Sequence, residues 1–272
     1  MKASARQSFD ATRTFGAKVD FGRAAADYRS FRAGFPPEFF ARFADHVGFV
    51  HRQAALDLGT GTGTIARGLA LLGLNVTGVD PSQPLLNEAK AMDHLAGVEV
   101  SYKRGRAEDL PFPSSSFDLV IAGQCWHWFD RAAGAAEALR VLKPGGIISV
   151  AHFDWLPLPG NVVELTERLI LDANPAWTMG GGAGIYPQWA MDLATAGFTN
   201  LETRSFDIDQ VYSHEAWRGR IRASAGIRAS LDEADTARFD AILEARLQEH
   251  FPDDPITVPH RVWWICGQKP NG

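Results

Sequence analysis

Cysteine is nearly absent: Cys125 and Cys266 are the only two in 272 residues. Two thiols cannot build a disulfide-dense scaffold, and neither stands in a metal-ligand spacing, so no metal site is expected. Both fall in apolar, strand-like runs, which predicts buried free thiols in a reducing, cytoplasmic setting. No apolar run approaches the length of a membrane span, and no membrane partner is expected. Residues 1–21 mix charged, small and aromatic types without a continuous apolar stretch, unlike a secretory leader. Positive charge is not in excess either. A net charge of −5 and a pI near 5.9 give no electrostatic support for a nucleic-acid partner. Repeats and low-complexity tracts are missing.

What is present is an ordinary globular composition, 46% hydrophobic and 22% charged, long enough for one sizeable core. Short apolar runs at Ala54–Leu58, 75–79, 98–102, 117–122 and 147–151 read as strands. Between several of them lie stretches with apolar residues at helical spacing, near 64–72, 81–92 and 131–142. Strands that are apolar throughout and alternate with helices predict a mostly parallel sheet covered on both faces. Beyond Ala151 the rhythm changes. Residues 152–186 are rich in Trp, Pro and Gly, with one helix at Val162–Ala173. A helix over 187–196, a strand over 199–208, helices over 213–223 and 232–251, and a last strand over 261–268 follow. The expectation is a single α/β domain over 1–272, a Rossmann-like doubly wound sheet with an antiparallel final strand. Its core is 51–151 and 187–208 with 261–268, and helical lid insertions span 16–50, 152–186 and 209–260.

The loop Gly59-Thr-Gly-Thr-Gly63 leaves a strand and enters a helix. Glycines there allow a tight turn and close approach of backbone to a ligand, at the carboxyl end of a strand where open α/β sheets bind ligands. A dinucleotide fingerprint wants glycine at position 64, and this chain has Thr64, which disfavours a nicotinamide-dependent dehydrogenase. Asp80 ends the next strand, where a carboxylate can accept from ribose hydroxyls. Alternatively it caps the following helix, with Pro81 at the first helical position. Loop and acid together point to an adenosine ligand.

Leu56-Asp-Leu-Gly-Thr-Gly-Thr-Gly63, Gly78-Val-Asp-Pro-Ser82, Gly105-Arg-Ala-Glu-Asp-Leu-Pro-Phe112, Phe117-Asp-Leu-Val120 and Leu142-Lys-Pro-Gly-Gly146 stand in an order and spacing that resemble class I S-adenosylmethionine-dependent methyltransferases. Gln124-Cys-Trp-His-Trp-Phe-Asp130, and Tyr28 with Arg32 and Pro36, resemble the small-molecule type related to trans-aconitate methyltransferase. The resemblance implies S-adenosyl-L-methionine as cofactor. Gly59, Thr60, Gly61 and Gly63 would pass under its methionine part, Asp57 would hold the loop or the amino group, and Asp80 with Pro81 would meet the ribose. Ala107 would offer its N–H to adenine and Glu108 would accept from the adenine amino group. Many relatives carry Asp where this chain has Arg106, which moves the adenine contact to Glu108. Gln124 and Tyr28 would close the methionine end.

Methyl transfer from a sulfonium needs alignment and exclusion of water more than acid–base help. His127 is the candidate catalytic residue, as a base or to orient a substrate carboxylate, set against a histidine that only fixes its loop. Trp126, Trp128 and Phe129 read as packing aromatics, Lys143 as solvent-facing, Asp118 as a structural pair, and His152 as a satisfied rim histidine. Arg218, Arg220, Arg222 and Arg228 form either a carboxylate clamp or a solvated face paired with Asp232, Glu233 and Asp235. The expected function is methyl transfer to a small-molecule acceptor, a carboxylate among the candidates. A nucleic-acid methyltransferase would carry Asn/Asp-Pro-Pro-aromatic after the fourth strand, where this chain reads Gly123-Gln-Cys-Trp-His127. A non-catalytic cofactor-binding protein is the third reading.

Overall fold

A computed structural model describes residues 34–227 and 230–271. Tyr28, Arg32 and Arg228 lie outside the described residues. The chain runs α1 (Pro37–Val47), β1 (Ala54–Leu58), α2 (Thr64–Leu71), β2 (Asn75–Asp80), α3 (Gln83–Ala96), β3 (Ser101–Arg104), β4 (Phe117–Gly123) and a single 3-10 turn, Trp126–Trp128. It continues through α4 (Arg131–Val141), β5 (Leu142–Trp155), α5 (Val162–Ala173), α6 (Trp189–Ala196), β6 (Thr199–Tyr212), α7 (His214–Arg222), α8 (Glu233–His250) and β7 (Ile256–Gln268).

The seven strands form one sheet in the order β3-β2-β1-β4-β5-β7-β6. The first five in that order are parallel, with Leu56 opposite Thr77 on one side and Val120 on the other. β7 is antiparallel to both its neighbours, β5 and β6. Strand alternation sorts the core. Leu56, Leu58, Val120, Ile148 and Val150 face α4 and α6, while Ala55, Val76, Leu119, Ile121 and Phe153 face α1 and α2. A third cluster joins Val163 and Ile170 of α5, Trp217 and Ile221 of α7, and Leu243 and Leu247 of α8 to the outer ends of β6 and β7. Among the described residues no helix is long and apolar enough to cross a membrane.

The order of strands reverses at β1 and β4, so the chain leaves those two neighbours in opposite directions. A crevice opens beyond their carboxyl ends. The glycine loop follows β1 and the Gln124 segment follows β4, which puts both at that crevice.

Several boundaries differ from the sequence expectation: β3 spans Ser101–Arg104 and not 98–102, β5 already begins at Leu142, and β6 runs on to Tyr212. β5 runs on to Trp155 and β7 begins at Ile256, because these two strands continue to pair past the apolar run, His152 opposite Trp263 and Trp155 opposite His260. Pro259 is tolerated inside β7 because β5 has ended there; on that side its carbonyl accepts from the Leu156 N–H. Helix α3 starts at Gln83 with Pro84 in its first turn, so Pro81 is not the first helical residue. The Asp80 carboxylate holds the Ser82 N–H at 2.8 Å and keeps Pro81 and Ser82 out of the helix.

Candidate active site

Gly59, Gly61 and Gly63 all have left-handed backbones, with φ of 60°, 56° and 76°. L side chains rarely adopt such values. Gly59 also has no room: a Cβ there would lie 2.9 Å from the Cys125 side chain. Gly61 is different, since a Cβ would meet nothing nearer than the Gly59 carbonyl at 4.0 Å. The loop is therefore closed on its Cys125 side and open above Gly61.

Two buried carboxylates hold this backbone. Asp57 Oδ2 accepts from the Thr60 hydroxyl at 2.6 Å and from the Ala66 N–H at 3.1 Å, tying both ends of the loop to β1. Burial pushes its carboxyl up to about 7, against the pull of those two donors. Asp80 accepts from the Gly61 N–H at 2.9 Å through Oδ2 and from Ser82 through Oδ1. It too is buried, and burial raises its carboxyl above the ordinary range. Asp80 is thus no solvated cap. It sits against the open residue of the loop, and each oxygen keeps a further lone pair for a ligand hydroxyl. Arg67 of α2 fastens the far end of the loop, donating to the Thr62 carbonyl at 2.8 Å and pairing with Asp93 of α3 at 2.8 Å.

An open glycine backed by an ionisable acid suits the polar, cationic methionine end and the ribose of S-adenosylmethionine. The residues present fit that group. Glu108 is more occupied than the sequence suggests: Oε1 accepts from the Asp130 N–H at 3.0 Å and Oε2 lies 3.3 Å from Arg106 Nε. Asp130 in turn caps α4 by accepting from Ala133. Glu108 therefore anchors the β3–β4 connection to the start of α4, with Ala107 buried beside it. Pro81 is exposed, and its carbonyl accepts from Arg104.

Gln124 joins the ends of β4 and β5. Its N–H donates to the Ala151 carbonyl at 2.9 Å, its side-chain amide donates to the Phe153 carbonyl, and its φ of 58° is left-handed. A non-glycine residue in that region is a local strain that surrounding contacts must hold. Cys125, next in the chain, donates its thiol to the Leu58 carbonyl at 3.0 Å and packs on Gly59. Gln124 and Cys125 are the corner between the glycine loop and a second space.

That second space is a cavity of about 120 Å³ whose wall includes Gln124, His127, Trp128, His152, Asp154 and Tyr186. Trp155, Glu167, Trp177 and Arg220 complete its charged and aromatic lining. His127 is buried in the 3-10 turn, its ring centroid 4.7 Å from Trp128 and 5.3 Å from His152. His152 is 3% exposed, which makes it a core residue and not a rim histidine. Its Nδ1 lies 3.3 Å from Asp154 Oδ2, which also accepts from the Tyr186 hydroxyl at 2.6 Å. Its Nε2 is buried and has no hydrogen-bond partner among the described residues.

The arginine cluster divides by helical geometry. Arg218 and Arg222, four residues apart on α7, face α8. Arg218 binds Asp240 and, at 2.6 Å, Glu244; Arg222 binds Asp240 at 2.7 Å and Glu215 at 2.9 Å. Among the described residues, Arg218 and Arg222 thus pair with Asp240, Glu244 and Glu215 and not with Asp232, Glu233 or Asp235; Asp232 caps α8 instead. Arg220 projects from the opposite face into the cavity, its guanidinium carbon 5.0 Å from the Trp155 ring centre. Lys143 is half-exposed but paired, donating to Asp118, which also accepts from the Ala54 N–H.

Trp126 and Phe129 pack in the core, and Trp126 donates to Asp192 at 3.1 Å. Trp128 lines the cavity instead. Trp177 does so too, while Trp189 stacks on Tyr186 at 4.1 Å. Asp154, Tyr186 and Glu167 were not singled out from the sequence. Asp154 had a signal: two residues past His152 on one strand, it points to the same side.

An uncharacterized methyltransferase of Mycobacterium tuberculosis is 34% identical over 157 residues, 58% of this chain. The matched stretch is 61% of that relative, so the chain spans about three fifths of its length. The structure of a Haemonchus contortus phosphoethanolamine N-methyltransferase, in complex with phosphomonomethylethanolamine and S-adenosylhomocysteine, is 21% identical. It superposes with a TM-score of 0.58 over 94% of this chain and 60% of that one. The cyclase SpnF, 22% identical, gives 0.56 over 89% and 85%. These structures share the fold. Residues 56–150, which carry the glycine loop, Asp80 and the end of β4, match the family of methyltransferase domains.

Proposed function

We propose that the chain binds S-adenosyl-L-methionine over the loop and transfers its methyl group to a small molecule in the neighbouring cavity. The observation that carries this reading is the open Gly61, its N–H held by Asp80, sharing the Gln124–Cys125 corner with an aromatic-walled cavity. The family match over 56–150 supports it. When bound, the cofactor supplies a methyl group on a sulfonium, a good leaving group. Gly59, Thr60, Gly61 and Gly63 with Asp57 would hold the methionine part, Asp80 and Pro81 the ribose, and Ala107 and Glu108 the adenine. Gln124 would separate donor from acceptor, and Tyr28 belongs to the same proposal through the family resemblance alone.

His127 and the aromatic walls would position the acceptor and exclude water. A nucleic-acid acceptor is disfavoured because Arg218, Arg222 and Arg261 are each engaged by carboxylates. The likeness to a cyclase shows that this fold alone does not guarantee methyl transfer. Incubation with methyl-labelled cofactor and a panel of phenols, carboxylic acids and amines tests the reading. Release of S-adenosylhomocysteine with label on an acceptor is expected, and His127→Ala lowers turnover more than cofactor affinity. Tight cofactor binding with no transfer to any acceptor class would leave only the non-catalytic reading.

A further inference from the structure

The cavity wall holds one arrangement that binding alone does not require. His152 lies on β5 with Nδ1 turned to Asp154, and Asp154 is also held by the Tyr186 hydroxyl. With Nδ1–H donating to the carboxylate, Nε2 carries a lone pair, and it is the buried nitrogen without a partner among the described residues. A carboxylate that orients an imidazole and stabilises its protonated form is the arrangement of a general base. His127 lies beside it, ring centroids 5.3 Å apart, and also acts electrostatically on Asp154.

The walls say what such a base would act on. Trp128, Trp155, Trp177, Met179 and Tyr186 are flat or apolar, and a cavity of about 120 Å³ approaches the roughly 150 Å³ that accommodates a benzene ring. Two carboxylates, Asp154 and Glu167, share the cavity with one guanidinium, Arg220. Glu167 is pinned, accepting from Trp155 Nε1 at 2.8 Å and from the Gly181 N–H at 2.7 Å. A carboxylate acceptor would meet two like charges and would have no proton for a base to remove. A neutral ring hydroxyl meets neither objection.

We propose that His152, aligned by Asp154, removes the proton from a phenolic hydroxyl seated in this cavity, making the acceptor a hydroxylated aromatic and not a carboxylate. The assignment rests on the methyl-transfer reading. The O–H bonding pair stays on oxygen and the proton passes to Nε2, leaving an imidazolium beside the Asp154 carboxylate. The oxygen then holds the electron pair for the new O–C bond, the C–S pair leaves with the neutral thioether sulfur, and the imidazolium later returns its proton to water. The other ionisable groups around this space are His127 of the 3-10 turn, Tyr186 of the loop before α6, Glu167 of α5 and Arg220 of α7.

The test uses 4-nitrophenol, whose anion absorbs in the visible, titrated into the whole protein at a pH where the free phenol is protonated. The wild type is expected to bind it with growth of the phenolate band. His152→Gln loses the band, and Asp154→Asn weakens it several-fold. S-adenosylhomocysteine affinity, measured on each variant, reports an intact fold. No binding of the probe, no phenolate band, or a band that survives in His152→Gln overturns the assignment. S-adenosylhomocysteine binding without a band removes the base while methyl transfer stands. A band without any binding of S-adenosylhomocysteine removes the methyl-transfer reading, and the catalytic role with it.

Discussion

Asp57 lies beneath the loop with burial holding its carboxyl near 7, while the unfolded chain titrates near 4. Because the folded value is the higher one, its favourable contribution is complete below about pH 4 and is lost as pH rises to about 7. A tenfold change in proton affinity is worth roughly 1.4 kcal/mol, so the loss amounts to a few kcal/mol. Asn at this position still offers an oxygen to Thr60 and Ala66 but does not titrate. Urea unfolding of Asp57→Asn is expected to fall less between pH 4 and 7 than that of the wild type; parallel curves would contradict the assignment. Gly63 has a similar local logic. Its left-handed backbone and the Tyr102 hydroxyl, which an added Cβ would strike, leave no place for alanine. Gly63→Ala should lower stability by about 1–3 kcal/mol and weaken cofactor binding, as thermal melts and calorimetry would record. The glycine loop, Asp57 and Asp80 were legible in the sequence because their chemistry is local. The Asp154–Tyr186 contact was not, because it joins residues 32 apart across a loop.

Among the elements, α7 shows how periodicity decides the fate of like residues. Arg218 and Arg222 are mostly buried against Asp240, so their pairs lie between exposed bridges, worth under about 1 kcal/mol, and fully buried ones. Arg218→Ala should cost about 1–3 kcal/mol in denaturant unfolding and leave S-adenosylhomocysteine affinity unchanged. A loss of affinity would mean that α7 and α8 support the cofactor site as well. The four arginines looked alike in sequence because their number suggests a patch, whereas three-dimensional pairing depends on Asp240 more than a helical turn away. β5 teaches the same lesson from the strand side. Its apolar run ends at Ala151, but β7 keeps pairing with it to Trp155, and that extension carries His152 and Asp154 into the cavity. Pairing with a distant strand, which hydrophobic patterning does not encode, set the end of the element.

For the whole molecule, the reversal of strand order at β1 and β4 brings the two sites together. Parallel order and both covered faces follow from alternating apolar runs and were readable from the sequence; the antiparallel last strand was expected as part of the Rossmann-like fold class. The third cluster, whose helices α5 and α7 also supply Glu167 and Arg220 to the cavity wall, was foreseen only as lid segments, because its core forms from pieces far apart in the chain. The proposed function depends above all on the loop and Asp80 holding S-adenosylmethionine. Calorimetric titration of S-adenosylhomocysteine into the wild type and Asp80→Ala tests this most directly. One site on the wild type is expected, with affinity at least about tenfold weaker in the variant, as loss of hydrogen bonds to a charged group requires. No binding of that ligand, binding of NAD in its place, or equal affinity in Asp80→Ala would contradict the account.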